Sequence, residues 1–310
     1  MHIVTSGSPY LDIDAYAGIV AYAELLQAQG TEAIAATTAV LNESITPTIR
    51  SWKAPIQIGY QPSADDAFVL IDVSDPDHFD AMVDLAKVSE VIDHHPGLEQ
   101  YWQARIGDGA HIEFIGAACT LVYERWRVAN LLDKMSTTSA RLLVCGILDN
   151  TLNFGAKVTT QRDIDAYNAL LAPADLPDDW PDRYFTECQE TILQDATVAI
   201  QNDTKTLTFK SFDQPICVGQ LVAWDGKQVL TQYADLPRTI LSAVRPNWFM
   251  NLVSVGEGKS YFITDNALVQ RWLSGLLGVH FDGTVAAADR LWLRKEIIKQ
   301  DITRVEHGVS

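Results

Sequence analysis

The first half of the chain alternates short apolar runs with segments of helical hydrophobic spacing. Residues 2–6 are predicted to form a strand and residues 12–29 a helix, because apolar side chains recur at helical intervals after the first run. Two further apolar runs, 68–72 and 88–93, each end in a carboxylate. Helices are predicted at 75–86, 117–130, 138–149 and 160–171. This alternation predicts a mostly parallel sheet covered on both faces by helices.

A proline-rich segment divides the chain. Residues 173–183 contain three prolines and four aspartates, a composition typical of a domain boundary. The sequence therefore predicts an α/β protein with an N-terminal parallel-sheet domain at residues 1–180 and a second, smaller α/β domain at residues 187–310. The elements expected in the second domain are helices at 185–200 and 266–277, strands at 206–210, 216–223, 251–255 and 260–263, and a basic strand near the C-terminus.

The charge balance limits the class of partner. The chain has 310 residues, with 40 Asp and Glu against 23 Lys and Arg, and its net charge is −17. This acidity argues against binding to duplex nucleic acid or to an anionic membrane, since both need clustered bases. A small anionic phosphate substrate remains compatible with it. Neither a signal peptide nor an apolar run of roughly 18 residues is visible, and the four cysteines form no CxxC pair. We expect a cytoplasmic protein with reduced, mostly buried thiols.

Carboxylates and imidazoles recur where predicted strands end. Asp12 and Asp14 follow the first strand, Asp72 ends the next apolar run, and Asp93-His94-His95 ends another, while Asp149 lies at the end of a predicted helix. Because ligands of parallel sheets sit at the carboxyl ends of the strands, we expect these side chains to lie close together. Two divalent cations about 4 Å apart need several carboxylates and often an imidazole. The set therefore predicts a two-metal site.

Each of these signals has a structural explanation when it is taken alone. An Asp-x-Asp pair most often caps a helix, as Asp12 would here. An aspartate such as Asp72 at the end of a strand is usually a turn residue. A pair such as His94-His95 is more often structural than a metal ligand, and Asp149 could simply terminate its helix. The metal prediction depends on all of them occurring together.

Residues 91–96, Val-Ile-Asp-His-His-Pro, resemble the signature of the DHH phosphoesterase superfamily. The order of Asp-x-Asp, Asp, Asp-His-His and a later Asp is similar to the four motifs of that superfamily. Residues 116–120 resemble its glycine-to-threonine segment. Residues 146–154, followed by 159–163, resemble the family II inorganic pyrophosphatases, which are manganese-dependent, and the related exopolyphosphatases. In the second half, two segments resemble motifs of the DHHA2 domain of those enzymes, namely 202–205 and 293–296.

The resemblance implies a ligand set for two metal ions. Asp12 and Asp72 would bind the first ion. Asp14, Asp72, His94 and Asp149 would bind the second, so that Asp72 bridges the two. The implied cofactors are two divalent cations, with Mn²⁺ as the first choice and Mg²⁺ or Co²⁺ as alternatives. A water molecule between such ions becomes a nucleophile because the cations lower its pKa.

The resemblance also implies residues that act on the substrate. His95 would bind the departing phosphate and take part in catalysis together with Asp149. Lys205, Arg294 and Lys295 would bind the phosphate oxygens, the guanidinium through a bidentate fork. A solvated basic face is the alternative explanation for these three bases.

Two departures from the family pattern stand out. Ser8 occupies the place where family II pyrophosphatases have a histidine before the Asp-x-Asp pair, while exopolyphosphatases and prune-like proteins have an asparagine there. A hydroxyl is a poorer ligand for Mn²⁺ than an imidazole, so we expect a weaker first metal site. Leu293 and Glu296 replace a serine and a lysine around Arg294 and Lys295. We expect the second change to place a negative charge near the substrate.

Three functions follow from these observations. The leading one is a metal-dependent hydrolase of phosphoanhydride bonds, acting on pyrophosphate or short polyphosphate. The second is a phosphodiesterase of short oligonucleotides or cyclic dinucleotides, but the Gly-Gly-Gly-His motif of those relatives is missing, and Gly278-Val279-His280 is the nearest text. The third is a slow, prune-like binding or regulatory protein. A homodimer is compatible with all three.

Overall fold

A computed structural model describes residues 1–306 and divides the chain into two compact units. Unit 1 comprises Met1–Phe154 and Val158–Pro181, and unit 2 comprises Gly155–Lys157 and the chain from Asp182 onward. The elements up to Ala174 are β1 (His2–Thr5), β2 (Tyr10–Leu11), α1 (Ile13–Ala28), β3 (Ala33–Thr37), β4 (Val40–Leu41), α2 (Pro47–Ser51), β5 (Ile56–Ile58), β6 (Ala67–Ile71), β7 (Val88–Asp93), α3 (Glu99–Ile106), β8 (Ala110–Ile112), α4 (Ala118–Val128), α5 (Thr137–Thr151) and α6 (Gln161–Ala174).

The main sheet of unit 1 is parallel throughout, as the sequence predicts. Its six strands follow the order β5-β3-β1-β6-β7-β8, and every neighbouring pair runs parallel. The chain builds outward from β1 in one direction and then, from β6 onward, in the other. Ligands of such sheets bind at the carboxyl ends of the strands where this reversal occurs. A ligand site is therefore expected in the segments that follow β1 and β6.

Helix α1 lies directly against the centre of this sheet. Asp12 is its N-cap, and the carboxylate accepts a hydrogen bond from Ala15 N. A Cβ on Gly18 would lie 2.5 Å from Cγ2 of Ile71, the last residue of β6. Glycine is therefore required at position 18 by the close approach of helix and strand. This contact fixes the start of α1 beside the ends of β1 and β6.

The predicted helix at 75–86 is wrong. The structure has two single 3₁₀ turns there, Pro76–His78 and Leu85–Lys87. Asp75 does cap the first turn by accepting from Asp77 N, but this turn ends at His78, two residues before Asp80. The Asp80 carboxylate is buried and accepts from Thr38 N at 2.6 Å and from the Thr38 hydroxyl at 2.7 Å. Because these bonds hold Asp80 beside β3, the chain cannot continue as a helix.

The second half of the chain forms a mixed sheet with helices. The elements are α7 (Trp180–Gln194), α8 (Ala196–Asn202), β9 (Thr204–Leu207), β10 (Ile216–Ala223), α9 (Gly226–Tyr233), α10 (Leu236–Val244), β11 (Trp248–Ser254), β12 (Lys259–Ile263), α11 (Ala267–Leu277), β13 (Phe281–Asp282), β14 (Val285–Ala288) and α12 (Arg294–Glu306). The strand order is β13-β14-β12-β11-β10-β9, with β10 and β11 parallel and the other pairs antiparallel. The predicted α/β class holds for both units.

The second unit differs from the prediction in several details. Strand β9 spans Thr204–Leu207 rather than 206–210, and the elements α9, α10, β13 and β14 were not predicted. The basic strand expected near the C-terminus is instead the start of α12, and the expected helix at 185–200 is two helices separated at Asp195. Asp195 caps the second of them by accepting from Val198 N, which is the local reason for the break. All four cysteines are buried, as expected. Within residues 1–306, no helix combines the length and the apolar character that crossing a membrane requires.

Candidate metal centre

Asp72 lies at the reversal point of the sheet, immediately after β6. Its backbone is left-handed, with φ of 61°, and its N–H donates to Ile92 O at 2.8 Å. Aspartate tolerates this conformation better than most side chains, but strain of this kind is concentrated at functional sites. The residue is 8 % exposed. A buried carboxylate in a strained turn at this place indicates a functional role more than a structural one.

His94 follows β7 and faces the carboxylates of two other segments. It is buried, and its Nε2 lies 3.0 Å from Asp72 Oδ1 and 3.6 Å from Asp14 Oδ2. Ligand atoms of Asp72, His94 and His95 all lie within 4.8 Å of one another. Carboxylate and imidazole are the donor types that Mn²⁺ and its neighbours accept. The fold therefore brings three separate segments together into a donor set that can hold a divalent cation.

The ring of His95 is oriented by Asp93. The fully buried Asp93 accepts through Oδ1 from His94 N at 2.7 Å and from His95 N at 3.2 Å, and it lies 2.8 Å from His95 Nδ1. Burial by itself would raise the pKa of Asp93, but the charge of His95 and the hydrogen bonds hold it below its ordinary value. The His95 side chain is 34 % exposed. Since Nδ1 meets Asp93, Nε2 is the ring nitrogen that can meet a ligand or substrate.

Asp14 caps helix α4. It is completely buried, and its two carboxylate oxygens accept from Ala118 N and Cys119 N, each at 2.8 Å. A carboxylate is stabilised at this place by the unpaired N–H groups and by the helix dipole. Each oxygen has two acceptor positions, so capping is compatible with metal binding. Sequence reasoning did not find this second role, because the partner N–H groups are more than 100 residues away.

Asp12, like Asp14, is both a helix cap and a candidate metal ligand. Its Oδ1 accepts from Ala15 N at 3.0 Å, so the helix-cap interpretation of Asp12 is correct. The first N–H of α1, that of Ile13, donates to Ser44 Oγ at 2.8 Å, and Asn42 accepts from the Ser44 hydroxyl. Asn42 and Ser44 therefore hold the turn that carries Asp12. Nothing in their local sequence marks them for this role.

The Cys119 thiol lies close to three of the predicted carboxylate ligands, Asp14, Asp72 and Asp12. Burial raises the pKa of Cys119 well above its usual value, and the charges of Asp14, Asp72 and Asp12 raise it further. Helix α5 passes the same point, since a Cβ on Gly146 would lie 2.4 Å from Cys119 Sγ and 3.2 Å from Asp14 Oδ1. Asp149 is three residues beyond Gly146, on the same side of α5. All five predicted metal ligands thus lie on segments that converge here, although their roles as ligands stay predictions.

Ser8 is engaged with a neighbouring loop. Its hydroxyl donates to Phe79 O at 3.0 Å, and its backbone N–H donates to His78 O at 2.8 Å. The hydroxyl is therefore bonded to a backbone carbonyl. This contact is consistent with the expectation that Ser8 is a poor substitute for a histidine ligand.

The predicted phosphate-binding bases lie in unit 2. Lys205 is on the edge strand β9, and Arg294 and Lys295 begin α12. Arg294 Nη2 lies 2.7 Å from Asp203 Oδ1, and its Nη1 donates to the backbone carbonyls of Asp203 and Val218. Arg294 thus ties α12 to the residues just before Lys205. Lys295 is only 4 % exposed. Phosphate binding by these three residues stays a prediction.

The unusual Glu296 is neutralised inside the protein. Its Oε1 accepts from Arg290 Nη2 at 2.6 Å, and its Oε2 accepts from Leu293 N at 3.0 Å. The Arg290 guanidinium also stacks on Trp292, 3.5 Å from the ring centroid. Glu296 is 7 % exposed. Its charge is therefore balanced by Arg290, and the glutamate serves as a cap at the start of α12.

Comparison with known proteins gives relatives of one kind. Two proteins named probable manganese-dependent inorganic pyrophosphatase match the sequence. The Deinococcus radiodurans protein is 30 % identical over 171 residues, which cover 52 % of this chain and 50 % of that protein. The Enterococcus faecalis protein is 25 % identical over 246 residues, which cover 76 % and 75 %. The match thus spans half the length of the first relative. No family model matches the sequence.

Solved structures agree in fold. A Methanococcus jannaschii protein assigned to the family II inorganic pyrophosphatases superposes with a TM-score of 0.78 at 16 % identity, covering 99 % of this chain and 100 % of that one. An exopolyphosphatase-related protein of Bacteroides fragilis superposes with a TM-score of 0.54 at 14 % identity, covering 99 % and 92 %. The sequence relatives and this shared architecture show that the chain has the fold of the family II inorganic pyrophosphatase structures, and its sequence is similar to proteins named manganese-dependent inorganic pyrophosphatase.

Proposed function

We propose that the protein is a divalent-metal-dependent hydrolase of phosphoanhydride bonds, with pyrophosphate or short polyphosphate as substrate. The observation that supports this proposal is the cluster where the strand order reverses: His94 Nε2 lies 3.0 Å from Asp72 Oδ1 and 3.6 Å from Asp14 Oδ2. A scaffold protein has no physical need to bury carboxylates against an imidazole in this way, because each buried charge costs solvation energy. The names of the sequence relatives point to the same chemistry.

Two ions would be held by Asp12, Asp14, Asp72, His94 and Asp149, with Asp72 between them. When bound, such ions lower the pKa of water and neutralise charge on phosphate oxygens. The chain's own residues orient this site. The capping bonds of Asp12 and Asp14 fix both carboxylates before any ion binds, so little reorganisation is needed.

His95 would act at the leaving phosphate. Asp93 holds Nδ1 at 2.8 Å, and a neutral imidazole that donates from Nδ1 accepts at Nε2. A protonated ring would instead donate from Nε2 to a phosphate oxygen and could pass its proton to the leaving group. Lys205, Arg294 and Lys295 of unit 2 would compensate phosphate charge.

The direct test is the release of inorganic phosphate by the 310-residue chain. Pyrophosphate, tripolyphosphate and long polyphosphate should each be assayed with Mn²⁺, Mg²⁺ and Co²⁺. Cleavage of a dinucleotide should be followed with the same ions by the mononucleotides formed, because hydrolysis of a phosphodiester releases no inorganic phosphate. We expect pyrophosphate or tripolyphosphate to be hydrolysed fastest, with Mn²⁺. Faster cleavage of the dinucleotide would replace the proposal by the phosphodiesterase alternative. Metal-loaded protein that hydrolyses none of the four would favour the binding-protein alternative.

Replacing Ser8 by histidine tests the first metal site. Ser8→His is expected to lower the Mn²⁺ concentration for half-maximal activity about tenfold, because an imidazole binds Mn²⁺ better than a hydroxyl. It should also shift the metal preference from Mg²⁺ toward Mn²⁺ or Co²⁺. Metal titrations at fixed substrate, together with Mn²⁺ affinity measured by calorimetry, give both quantities. Ser8→Ala is the matched control, since it removes only the bond to Phe79 O. An unchanged Mn²⁺ midpoint in Ser8→His would mean that position 8 does not face the metal.

A further inference from the structure

The turn at residues 292–294, which leads into Arg294 and Lys295, is held by side chains from three neighbouring strands. Ser260 on β12 accepts from Trp292 N at 2.8 Å. Asn251 on β11 donates to Trp292 O at 2.7 Å, and Gln220 on β10 accepts from Arg294 N at 2.8 Å. These backbone groups are thus fixed by polar side chains of the sheet.

Two of these side chains are placed where polar groups are costly. Asn251 and Ser260 are both 0 % exposed and lie on adjacent strands of the sheet. The Asn251 amide donates twice, to Trp292 O and at 3.2 Å to Gln220 Oε1, while its Oδ1 has no hydrogen-bond partner among residues 1–306. Burying an incompletely satisfied amide costs stability, so such a group in a strand interior calls for an explanation other than stability.

Further hydrogen bonds connect this turn to the segments that carry the predicted phosphate-binding bases. Glu296 accepts from Leu293 N, which fixes the residue between Trp292 and Arg294. The Gln220 N–H and Arg294 Nη1 both donate to Asp203 O, at 2.9 and 3.2 Å. Gln220 therefore links the turn to the strand that carries Lys205. Hydrogen bonds thus connect the segments that carry the three predicted phosphate-binding bases.

We propose that Gln220, Asn251 and Ser260 are positioning residues that pre-organise the turn at 292–294, so that Arg294 and Lys295 meet the phosphate groups of the substrate without rearrangement. This inference rests on the proposed function. Binding groups that are held in place before the substrate arrives lose little conformational entropy when it binds. A shift of about 1 Å in such groups is enough to weaken substrate binding. The three residues need not contact the substrate themselves.

The test compares two fully buried serines that each accept one backbone N–H, only one of which holds the turn at 292–294. Ser260 and Ser254 are both 0 % exposed, and each accepts one backbone N–H at 2.8 Å, from Trp292 and from Gly226 respectively. Ser254 also donates to Glu257 Oε2 at 2.6 Å, so Ser254→Ala should lower the melting temperature of the chain at least as much as Ser260→Ala and controls for lost stability. Ser260→Ala alone is expected to raise KM for pyrophosphate about tenfold and to change kcat by less than about threefold.

A second variant avoids dependence on a fully buried position. Gln220 is partly exposed, and Gln220→Met keeps its length while removing the acceptor for Arg294 N. It should raise KM in the same way. The affinity of the Mn²⁺-loaded variants for imidodiphosphate, which has no cleavable P–O–P bridge, should fall by the same factor in calorimetry.

The outcomes separate this inference from the proposed function. In one outcome the wild type hydrolyses pyrophosphate, but Ser260→Ala and Gln220→Met have the same KM and the same imidodiphosphate affinity as Ser254→Ala. This result would overturn the positioning role and leave the proposed function standing. Wild-type protein that binds imidodiphosphate but hydrolyses nothing, with binding lost in both variants, would support the positioning role and overturn the hydrolase. Protein that neither binds nor hydrolyses would overturn both.

Discussion

Asp72→Asn is expected to abolish phosphate release and to weaken Mn²⁺ binding about a hundredfold or more, the largest effect of any substitution considered. The amide has the same shape, so the turn after β6 should survive, but the charge beside His94 Nε2 is lost. Two cations cannot share a bridging amide as they share a carboxylate. Metal content after gel filtration and a calorimetric Mn²⁺ titration measure the effect independently of activity.

Asp75→Asn is the matched control for this substitution. Asp75 follows the same strand and caps a 3₁₀ turn by accepting from Asp77 N, a bond that asparagine can also accept. It should bind Mn²⁺ as the wild type does. An Asp72→Asn protein with near wild-type metal content and activity would contradict a metal site at the reversal of the sheet.

Gly146→Ala is expected to destabilise the protein by about 2 kcal/mol and to weaken metal binding, even though alanine is the better helix former. The new Cβ would lie 2.4 Å from Cys119 Sγ and 3.2 Å from the Cα of Asp14. Helix α5 must then move away from Cys119 on α4 and from Asp14 on α1, so the helices that carry Asp14 and Asp149 separate. Chemical denaturation and the Mn²⁺ titration together report the two effects.

A second substitution tests whether the close contact with Cys119 causes these two losses. Cys119→Ala removes the closest atom, so the double variant with Gly146→Ala should recover part of both losses, which additive effects would not allow. Gly275→Ala is the control, because Gly275 is also helical but its Cβ would meet only the flexible end of Arg304, at 3.3 Å. It should be neutral or slightly stabilising. Equal effects of Gly146→Ala and Gly275→Ala would show that the close approach of α5 does not constrain the site.

Much of the candidate site could be predicted from the sequence because its parts are local. The strand that ends at Asp93, the Asp12 cap and the apolar run before Asp72 each leave a signature within a few residues. The order of β and α elements then requires a parallel sheet, and a parallel sheet gathers the ends of its strands at one edge. Strand β10 was predicted with the same bounds that the structure shows, Ile216–Ala223. Periodicity and order together were sufficient for the architecture.

Other features depend on partners that are distant along the chain. The predicted helix at 75–86 fails because Asp80 is held by Thr38, a contact across 42 residues that no local pattern reveals. Glu296 looks like an unbalanced charge in the sequence, yet Arg290 neutralises it once α12 forms. The basic segment around Arg294 looks like a strand until its first turn is capped by Glu296 and held by the sheet.

The sequence by itself determined the α/β class, the parallel first sheet and the segments that supply the candidate ligands, because these follow from periodicity and from the chemistry of residue types. Tertiary structure alone decided that Asp14 caps α4 while facing His94, that Asp93 orients His95, and that the sheet of unit 2 holds the turn before Arg294. The physical reason is that a hydrogen bond depends on the position of two groups in space. Where those groups lie tens of residues apart, only the packed fold brings them within reach.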